Sequence, residues 1–222
     1  MRAMTARAFK GYEDLKLIDV PKPDVSGGRV LVRMTAAGVT PLDHTIFSGQ
    51  YPKAKPPLVL GNEGAGVVED GGGMEFPAGS RVMFTGLYGV AEDGTYSEYL
   101  AVRKQHLCLI PEGIDDVSAA GIPVAYLTAQ MALSLAGFQA GKTVLAPAIG
   151  GSVGNAATQL ARALGAKHAI SSSDIVIDAI GGEILNEALS ALAAGGTLTT
   201  LGYSAGRKAT IDVTDLLWKR PR

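Results

Sequence analysis

The chain has 222 residues, 47% of them hydrophobic, with 29 glycines and a formal net charge of −1. This is the make-up of a globular protein of one or two domains, and near-neutral charge gives no electrostatic footprint for nucleic acid or an acidic membrane surface. No apolar run reaches spanning length, the opening MRAMTARAFKGYEDLK holds no signal-peptide core, and one cysteine excludes an intrachain disulfide framework or a Cys-rich structural zinc site. The cytoplasm is therefore the expected compartment.

Residues 1–110 read as short strands punctuated by glycine and proline. Arg29–Thr35 alternates apolar and polar residues, and Gly64–Glu69, Arg81–Phe84, Tyr96–Val102 and His106–Ile110 carry strand composition. Together they predict a small β-rich barrel or sandwich. His106 and Cys108 stand two apart, on one face of a strand. A metal-like reading competes there with burial, which is favoured because a free cysteine usually behaves as a small hydrophobe.

Near residue 122 the pattern changes to long helix, strand, helix, strand. Tyr126–Leu135 predicts a helix, Val144–Ile149 a strand, Lys167–Ser171 and Asp174–Asp178 two more strands. A helix from near Gly182 to Ala194 and a strand at Thr197–Leu201 follow. Such alternation implies a parallel sheet with both faces covered.

The segment Thr143–Gly165, TVLAPAIGGSVGNAATQLARALG, carries the most chemistry. An apolar run meets a glycine pair, and an amphipathic helix follows with Val153, Ala157, Leu160, Ala161 and Leu164 at helical spacing. Gly165 stands where a C-cap glycine belongs. Strand, glycine turn and helix N-terminus make a cradle in which free N–H groups and the helix dipole favour a pyrophosphate. The spacing is Ala148, Gly151, Gly154, with Ile149 where a literal G-x-G-x-x-G needs glycine. A glycine-bearing turn without a ligand is the competing reading.

Only Ser172 and Ser173 separate the strands expected at Lys167–Ser171 and Asp174–Asp178. Parallel neighbours need a crossover of about a dozen residues or more. Either these strands are not both parallel members of one sheet, or a segment is absent at the 172/173 junction. A further segment is expected beyond Arg222, since LLWKRPR stops after a helix-like turn.

With these residues in hand, the chain resembles a zinc-free medium-chain dehydrogenase/reductase of the quinone oxidoreductase (zeta-crystallin-like) type. GVTPLDHTIFSGQYP (38–52), LGNEGAGVV (60–68), GTYSEYLAV (94–102), YLTAQMAL (126–133), GGSVGNAATQLARALGA (150–166), DAIGGE (178–183) and LGYSAG (201–206) stand in the family's order. The resemblance implies an α/β protein. It has a GroES-like β-rich catalytic domain at 1–122 and a Rossmann doubly wound parallel sheet at 123–222. That sheet would lack its crossover at 172/173 and the chain's return to the first domain. A complete protein is expected to be a homodimer.

The resemblance further implies NADP(H) and a small-molecule quinone or α,β-unsaturated carbonyl substrate, with no nucleic acid or membrane partner. Gly151, Ser152, Val153 and Gly154 would hold the pyrophosphate. Thr128, Gly181, Gly202 and Tyr203 would surround the nicotinamide and its ribose, between the domains. Zinc-dependent relatives carry Cys at the position of Thr40 and His at that of Asn62, so no metal is expected. Hydrogen-bond donors must then polarise the carbonyl. Thr40, His44 and Tyr51 are the candidates, each against a plain loop-residue reading, and Asp43 would orient their loop. Ser171 and Ser172 stand where an acidic residue would hold the ribose of NAD, and they favour NADP(H). His168 is a second candidate for the phosphate, or a solvent-exposed residue that opens its strand. GYSAG (202–206) also matches the G-x-S-x-G of a hydrolase elbow, but RKATI follows rather than a helix. A non-catalytic NADPH-binding protein and a zinc-free alcohol dehydrogenase-like reductase are the rival functions.

Overall fold

Alternating apolar residues and glycine- or proline-bearing turns fold the first half of the chain into antiparallel ladders. The structure, a computed structural model, describes residues 1–147, 150–167 and 172–222. They divide into two units, Met1–Val124 and Ala125–Arg222.

In the first unit the order is β1 (Arg2–Ala6), β2 (Leu15–Asp19), β3 (Arg29–Ala37), α1 (Pro41–Phe47), β4 (Leu58–Val59), β5 (Glu63–Asp70), β6 (Arg81–Thr85), β7 (Tyr99–Arg103), β8 (Leu107–Leu109) and α2 (Asp116–Ala120). The next helix, α3 (Pro123–Leu135), begins at the unit's end. Five strands form a sheet of order β7-β3-β5-β6-β8, and three form β2-β1-β4. Val30, Val32, Val68, Val82, Phe84 and Val102 turn inward around the fully buried Tyr88. Ile46 and Phe47 of α1 pack into a second cluster with Ala6, Leu58 and Leu60.

Three expectations are corrected here. The strand expected at Tyr96–Val102 starts only at Tyr99, because the preceding residues cross to β1. The Met4 N–H donates to Tyr96 O at 2.7 Å and the Glu98 N–H to Arg2 O at 3.1 Å. Cys108 is exposed rather than buried. It lies on the edge strand β8, where Leu107 takes the inward position. His106 belongs to the short helical turn before that strand. Its Nδ1 lies 3.0 Å from the Tyr88 hydroxyl, whose oxygen accepts the Arg103 N–H at 2.8 Å. The Tyr88 hydroxyl thus bridges the Arg103 N–H and the His106 ring.

The second unit holds β9 (Val144–Leu145), α4 (Ser152–Ala163), β10 (Ser173–Asp178), α5 (Ile184–Ser190), β11 (Leu192–Thr200) and α6 (Val213–Lys219). The three strands are parallel, in the order β11-β10-β9. On β10, Ile175 and Ile177 join the cluster of α3 and α4, while Val176 joins that of α5. Helices thus cover both faces of one strand, as its apolar run requires.

The glycine stop of α4 is as expected. Gly165 has φ 88°, and the Gly165 and Ala166 N–H groups close back on Arg162 O and Ala161 O at 3.1 and 2.8 Å. Leu164 is exposed instead of buried, because it is already the C-cap residue; Ala156, Ala157 and Ala161 form the buried stripe. The helix expected to reach Ala194 ends at Ser190. Leu192 pairs with Ser173 in the sheet, and a register shift leads to Ile175 opposite Thr197. Strand pairing overrides the helical propensity of the alanines.

Within the described residues β9 stops at Leu145; Ala148, Ile149, His168 and Ser171 lie outside them. Lys167 forms a parallel bridge with Thr143 at the end where β9 starts, and Ser173 opens β10 at that same end.

Candidate functional site

Two groups of residues gather the chemistry, one in each unit. In the first, Thr40 is the N-cap of α1 and is buried. Its N–H and hydroxyl both lie 2.8 Å from Asp43 Oδ2, and Asp43 Oδ1 accepts the Gly61 N–H at 3.1 Å. Asp43 therefore ties the start of α1 to the turn before β5. The Thr40 hydroxyl also lies 3.2 Å from the Asn62 side-chain oxygen. A hydroxyl carries one proton, and the carboxylate is the stronger acceptor. The Asn62 amide is then best turned with its nitrogen donating to Thr40.

His44 is on the exposed face of α1 and meets Tyr12 and Phe47 at ring-centroid distances of 6.2 and 5.3 Å. Tyr51 packs against the cluster of Ile46, Phe47 and Leu58. The three expected carbonyl partners are thus not convergent. Thr40 points inward, His44 is at the surface and Tyr51 lies against apolar side chains.

Two further side chains complete this cluster. Glu63 is buried on β5, and its Oε2 accepts the Val124 N–H at 2.8 Å. Burial pushes its carboxyl above the ordinary range, the Val124 N–H pulls against this, and the Asp43 carboxylate adds to the rise. Tyr96 donates its hydroxyl to Gly38 O at 3.3 Å. Burial first, and Asp43 second, hold that phenol well above its usual value. Sequence reasoning singled out neither. For Glu63 the signal was an acidic residue between Asn62 and Gly64 at the start of a strand otherwise apolar, LGNEGAGVV.

In the second unit, Gly151 is the N-cap of α4, and no side chain caps it. The first intrahelical bond is the Asn155 N–H to Gly151 O at 3.0 Å, so the N–H groups of Ser152, Val153 and Gly154 precede the ladder. A side-chain carbon added at Gly150 would meet nothing within 4 Å. This is an open helix N-terminus suited to an anion.

Beside it, at the end of β10, Asp178 Oδ1 accepts the N–H groups of Ile180 and Gly181, both at 2.9 Å. Its Oδ2 is buried without a partner. Gly181 has φ 66°, and a Cβ there would lie 2.8 Å from Gly202 O and 3.1 Å from Tyr203 Cα. Gly181, Gly202 and Tyr203 are therefore brought together. With Gly151 and Ser152 they follow the carboxyl ends of β10, β11 and β9, the edge where open parallel sheets bind ligands. Tyr203 is exposed beneath the Arg207 guanidinium, 5.0 Å from the ring centroid. Val153 is half-buried and Gly154 buried within α4, and Thr128 is half-buried on α3. Ser172 is not with them: it is exposed just before β10, at the opposite end of the strand.

The G-x-S-x-G segment is followed by no helix until Val213, so the strand–turn–helix of a nucleophile elbow is not formed. Among the described residues no group of three His, Cys, Asp or Glu side chains is placed to hold a metal. Among them, too, no helix is long and apolar enough to cross a membrane.

Residues 26–112 match the alcohol dehydrogenase GroES-like domain family. The human quinone oxidoreductase is 37% identical over 173 residues, covering 75% of this chain and 51% of the relative. The chloroplastic NADPH-dependent alkenal/one oxidoreductase of Arabidopsis thaliana is 32% identical over 188 residues, covering 81% and 47%. The chain thus spans about half the length of the curated relatives it matches. The solved structure of the Thermus thermophilus quinone oxidoreductase, described also in complex with NADPH, superposes with a TM-score of 0.80 at 30% identity, covering 100% of this chain and 78% of that one. The chain belongs to the medium-chain dehydrogenase/reductase family, with the quinone oxidoreductases.

Proposed function

We propose that this chain is part of an NADP(H)-dependent, metal-free oxidoreductase that reduces a quinone or an α,β-unsaturated carbonyl. The observation that carries the reading is the uncapped N-terminus of α4 at the carboxyl edge of a parallel sheet. Its geometry fits a dinucleotide. Three N–H groups precede the helical ladder at the first turn, and among the described residues a side-chain carbon at Gly150 would meet nothing within 4 Å.

When bound, the cofactor supplies the hydride. The N–H groups of Ser152, Val153 and Gly154 would hold its pyrophosphate. The glycine turns at Gly181 and Gly202 would let backbone approach the nicotinamide end, with Tyr203 and Thr128 to orient it. Thr40 keeps its proton on Asp43 and so serves to shape the substrate loop rather than to polarise a carbonyl. His44 and Tyr51 remain the donors proposed for substrate. The relatives named for quinone and alkenal/one reduction support the substrate class.

The experiment is a titration of NADPH fluorescence with the purified chain, followed by NADPH oxidation with 1,4-benzoquinone and with an alkenal. Saturable binding and substrate-dependent oxidation are expected. No binding of either nicotinamide cofactor overturns the reading.

A further inference from the structure

Helix α6 is amphipathic in the reverse sense. In VTDLLWK, Asp215 and Lys219 stand four apart and share one face. That face is turned to the protein. Asp215 accepts the Ser190 hydroxyl at 2.7 Å, and Lys219 donates to Leu189 O at 3.1 Å and to Ser190 O. The two side chains also pair with each other at 3.5 Å. The physical reason lies at the end of α5, whose last carbonyls have no helical partner and draw a cation.

The apolar residues are consequently left outside. Val213, Leu217 and Trp218 are 72%, 62% and 75% exposed, and Leu216 is less so, at 43%. Val213 and Leu217 are one turn apart, and Trp218 follows directly. One exposed leucine needs no explanation, but a group of neighbours that includes the chain's single tryptophan does.

Arginines border this group. The Arg220 N–H closes the helix on Leu216 O at 3.2 Å. Arg222 then pairs with β11 through Gly196 O and the Leu198 N–H, at 3.0 and 3.1 Å. Neither arginine has an ion-pair partner among the described residues. Both carboxylates of the segment are engaged within the unit: Asp212 holds the Thr214 N–H and hydroxyl at 3.0 and 2.7 Å, and Asp215 is on Ser190 and Lys219. On the side of α5, Glu183 is turned to the Thr210 N–H at 3.4 Å, and Glu187 is in solvent. Chain-wide charge, which predicts no attraction to an acidic membrane, averages over a local excess. From Gly206 to Arg222 there are five basic residues and two acidic ones.

We infer that the outward face of α6 docks on an anionic lipid surface. Trp218, Leu217 and Val213 enter the boundary between head groups and acyl chains, and Arg220 and Arg222 meet the anionic head groups. An apolar face rimmed by arginines and carrying a tryptophan is the make-up of a segment that lies in that boundary. The contact is made from one side, so it needs no helix long and apolar enough to cross a membrane, and the described residues hold none. A second copy fits the charge less well. An isologous contact through this face would repeat the arginines on both sides, with the carboxylates already engaged. The inference is independent of the proposed reaction.

Trp218 is the chain's only tryptophan, so its emission reports the contact directly. The wild-type chain is titrated with vesicles of phosphatidylcholine alone and with vesicles of phosphatidylcholine and phosphatidylserine. Emission should move to shorter wavelength with the anionic vesicles only, and the effect should weaken as salt is raised. In vesicle co-sedimentation, Arg220→Gln with Arg222→Gln should lower partition by about 30-fold, the scale of two basic side chains at such a surface. Leu217→Ser should lower it by about 10-fold or more. The substituted side chains are exposed, so circular dichroism should be unchanged, and the wild-type titration carries the test even if a variant misfolds. No shift with anionic vesicles overturns the inference. So does an equal shift with phosphatidylcholine alone, which would make the contact purely apolar. A shift that grows with protein concentration in the absence of lipid gives the face to a second copy and overturns it as well, as do folded variants that partition like the wild type.

Discussion

The Thr40 hydroxyl and the Thr40 N–H share one acceptor, Asp43 Oδ2, each at 2.8 Å. This capping arrangement fixes the start of α1, and the second Asp43 oxygen extends it to Gly61. Removing the two partners should therefore have unequal effects. Thr40→Ala loses one capping hydroxyl and should cost about 1 kcal/mol. Asp43→Ala strands buried N–H donors of both Thr40 and Gly61 and should cost about 3 kcal/mol or more. The double variant should be little worse than Asp43→Ala alone. Urea unfolding of the four proteins checks this. Equal losses for the single variants would show that Asp43 does not organise the loop.

Glu63 gives the stability of the first unit a pH dependence of definite sign. Its folded carboxyl titrates above the ordinary glutamate value, chiefly through burial. Between the unfolded and folded values the native state binds more protons than the unfolded chain, so stability falls as pH rises. The contribution is complete below the unfolded value and is gone once the folded value is passed. Glu63→Gln, which cannot ionise but keeps an acceptor for the Val124 N–H, should be more stable relative to wild type at neutral pH than at a pH of about 4, near the unfolded glutamate value. Denaturant melts at the two pH values measure it. A difference that shrinks towards neutral pH would contradict the raised carboxyl.

Much of the fold was legible because it rests on local patterns. The alternation of Arg29–Thr35 yields β3, and Gly165 ends α4 with the expected left-handed turn. What was not legible rests on long-range pairing. Nothing local says that Leu192 leaves a helical run of alanines to pair with Ser173, or that Cys108 falls on an edge strand. The glycine turn announced the α4 N-terminus, since its chemistry is backbone chemistry. The Glu63–Val124 contact spans 61 residues of sequence, and only folding brings the two together.

The α4 N-terminus offers its own test. Gly154 is the third residue of the helix and is buried. Gly154→Asp would set a carboxylate beside the free N–H groups of the first turn. The affinity for NADPH should fall by at least about 10-fold, the scale of one charge-assisted hydrogen bond. Fluorescence titration measures the affinity, and circular dichroism confirms that the variant is folded. Unchanged binding by a folded variant would move the pyrophosphate away from this turn.

Metal dependence follows from donor chemistry. Thr40 and Asn62, side by side at 3.2 Å, are a hydroxyl and an amide, outside the Cys, His and carboxylate set of zinc sites. Elemental analysis should find no stoichiometric zinc, and chelators should leave NADPH oxidation unchanged. Zinc at one per chain with chelator-sensitive turnover would reverse the metal-free assignment.

Cofactor preference is the last expected outcome, and it rests on charge. No Asp or Glu occurs anywhere from Gly151 to Ser173, a stretch that carries Arg162, Lys167 and His168. An acidic residue about 20 positions after the glycine turn is what normally holds the ribose of NAD and repels a 2′-phosphate. Asp174 follows that stretch at once, but its carboxylate is held at the start of β10 by the Thr143 N–H and hydroxyl, both at 2.8 Å. Ser172 does not decide the matter, because it lies at the opposite end of β10 from the carboxyl edge. NADPH should therefore bind more tightly than NADH, by about 10- to 100-fold if one charge-assisted contact of roughly 1.5–3 kcal/mol is made to the phosphate. That gain should shrink as salt is raised, since an exposed phosphate contact is screened. Dissociation constants for both cofactors at low and high ionic strength measure preference and origin together. Tighter binding of NADH at either ionic strength would refute the assignment to NADP(H), and a salt-insensitive preference would place its source in something other than exposed charge.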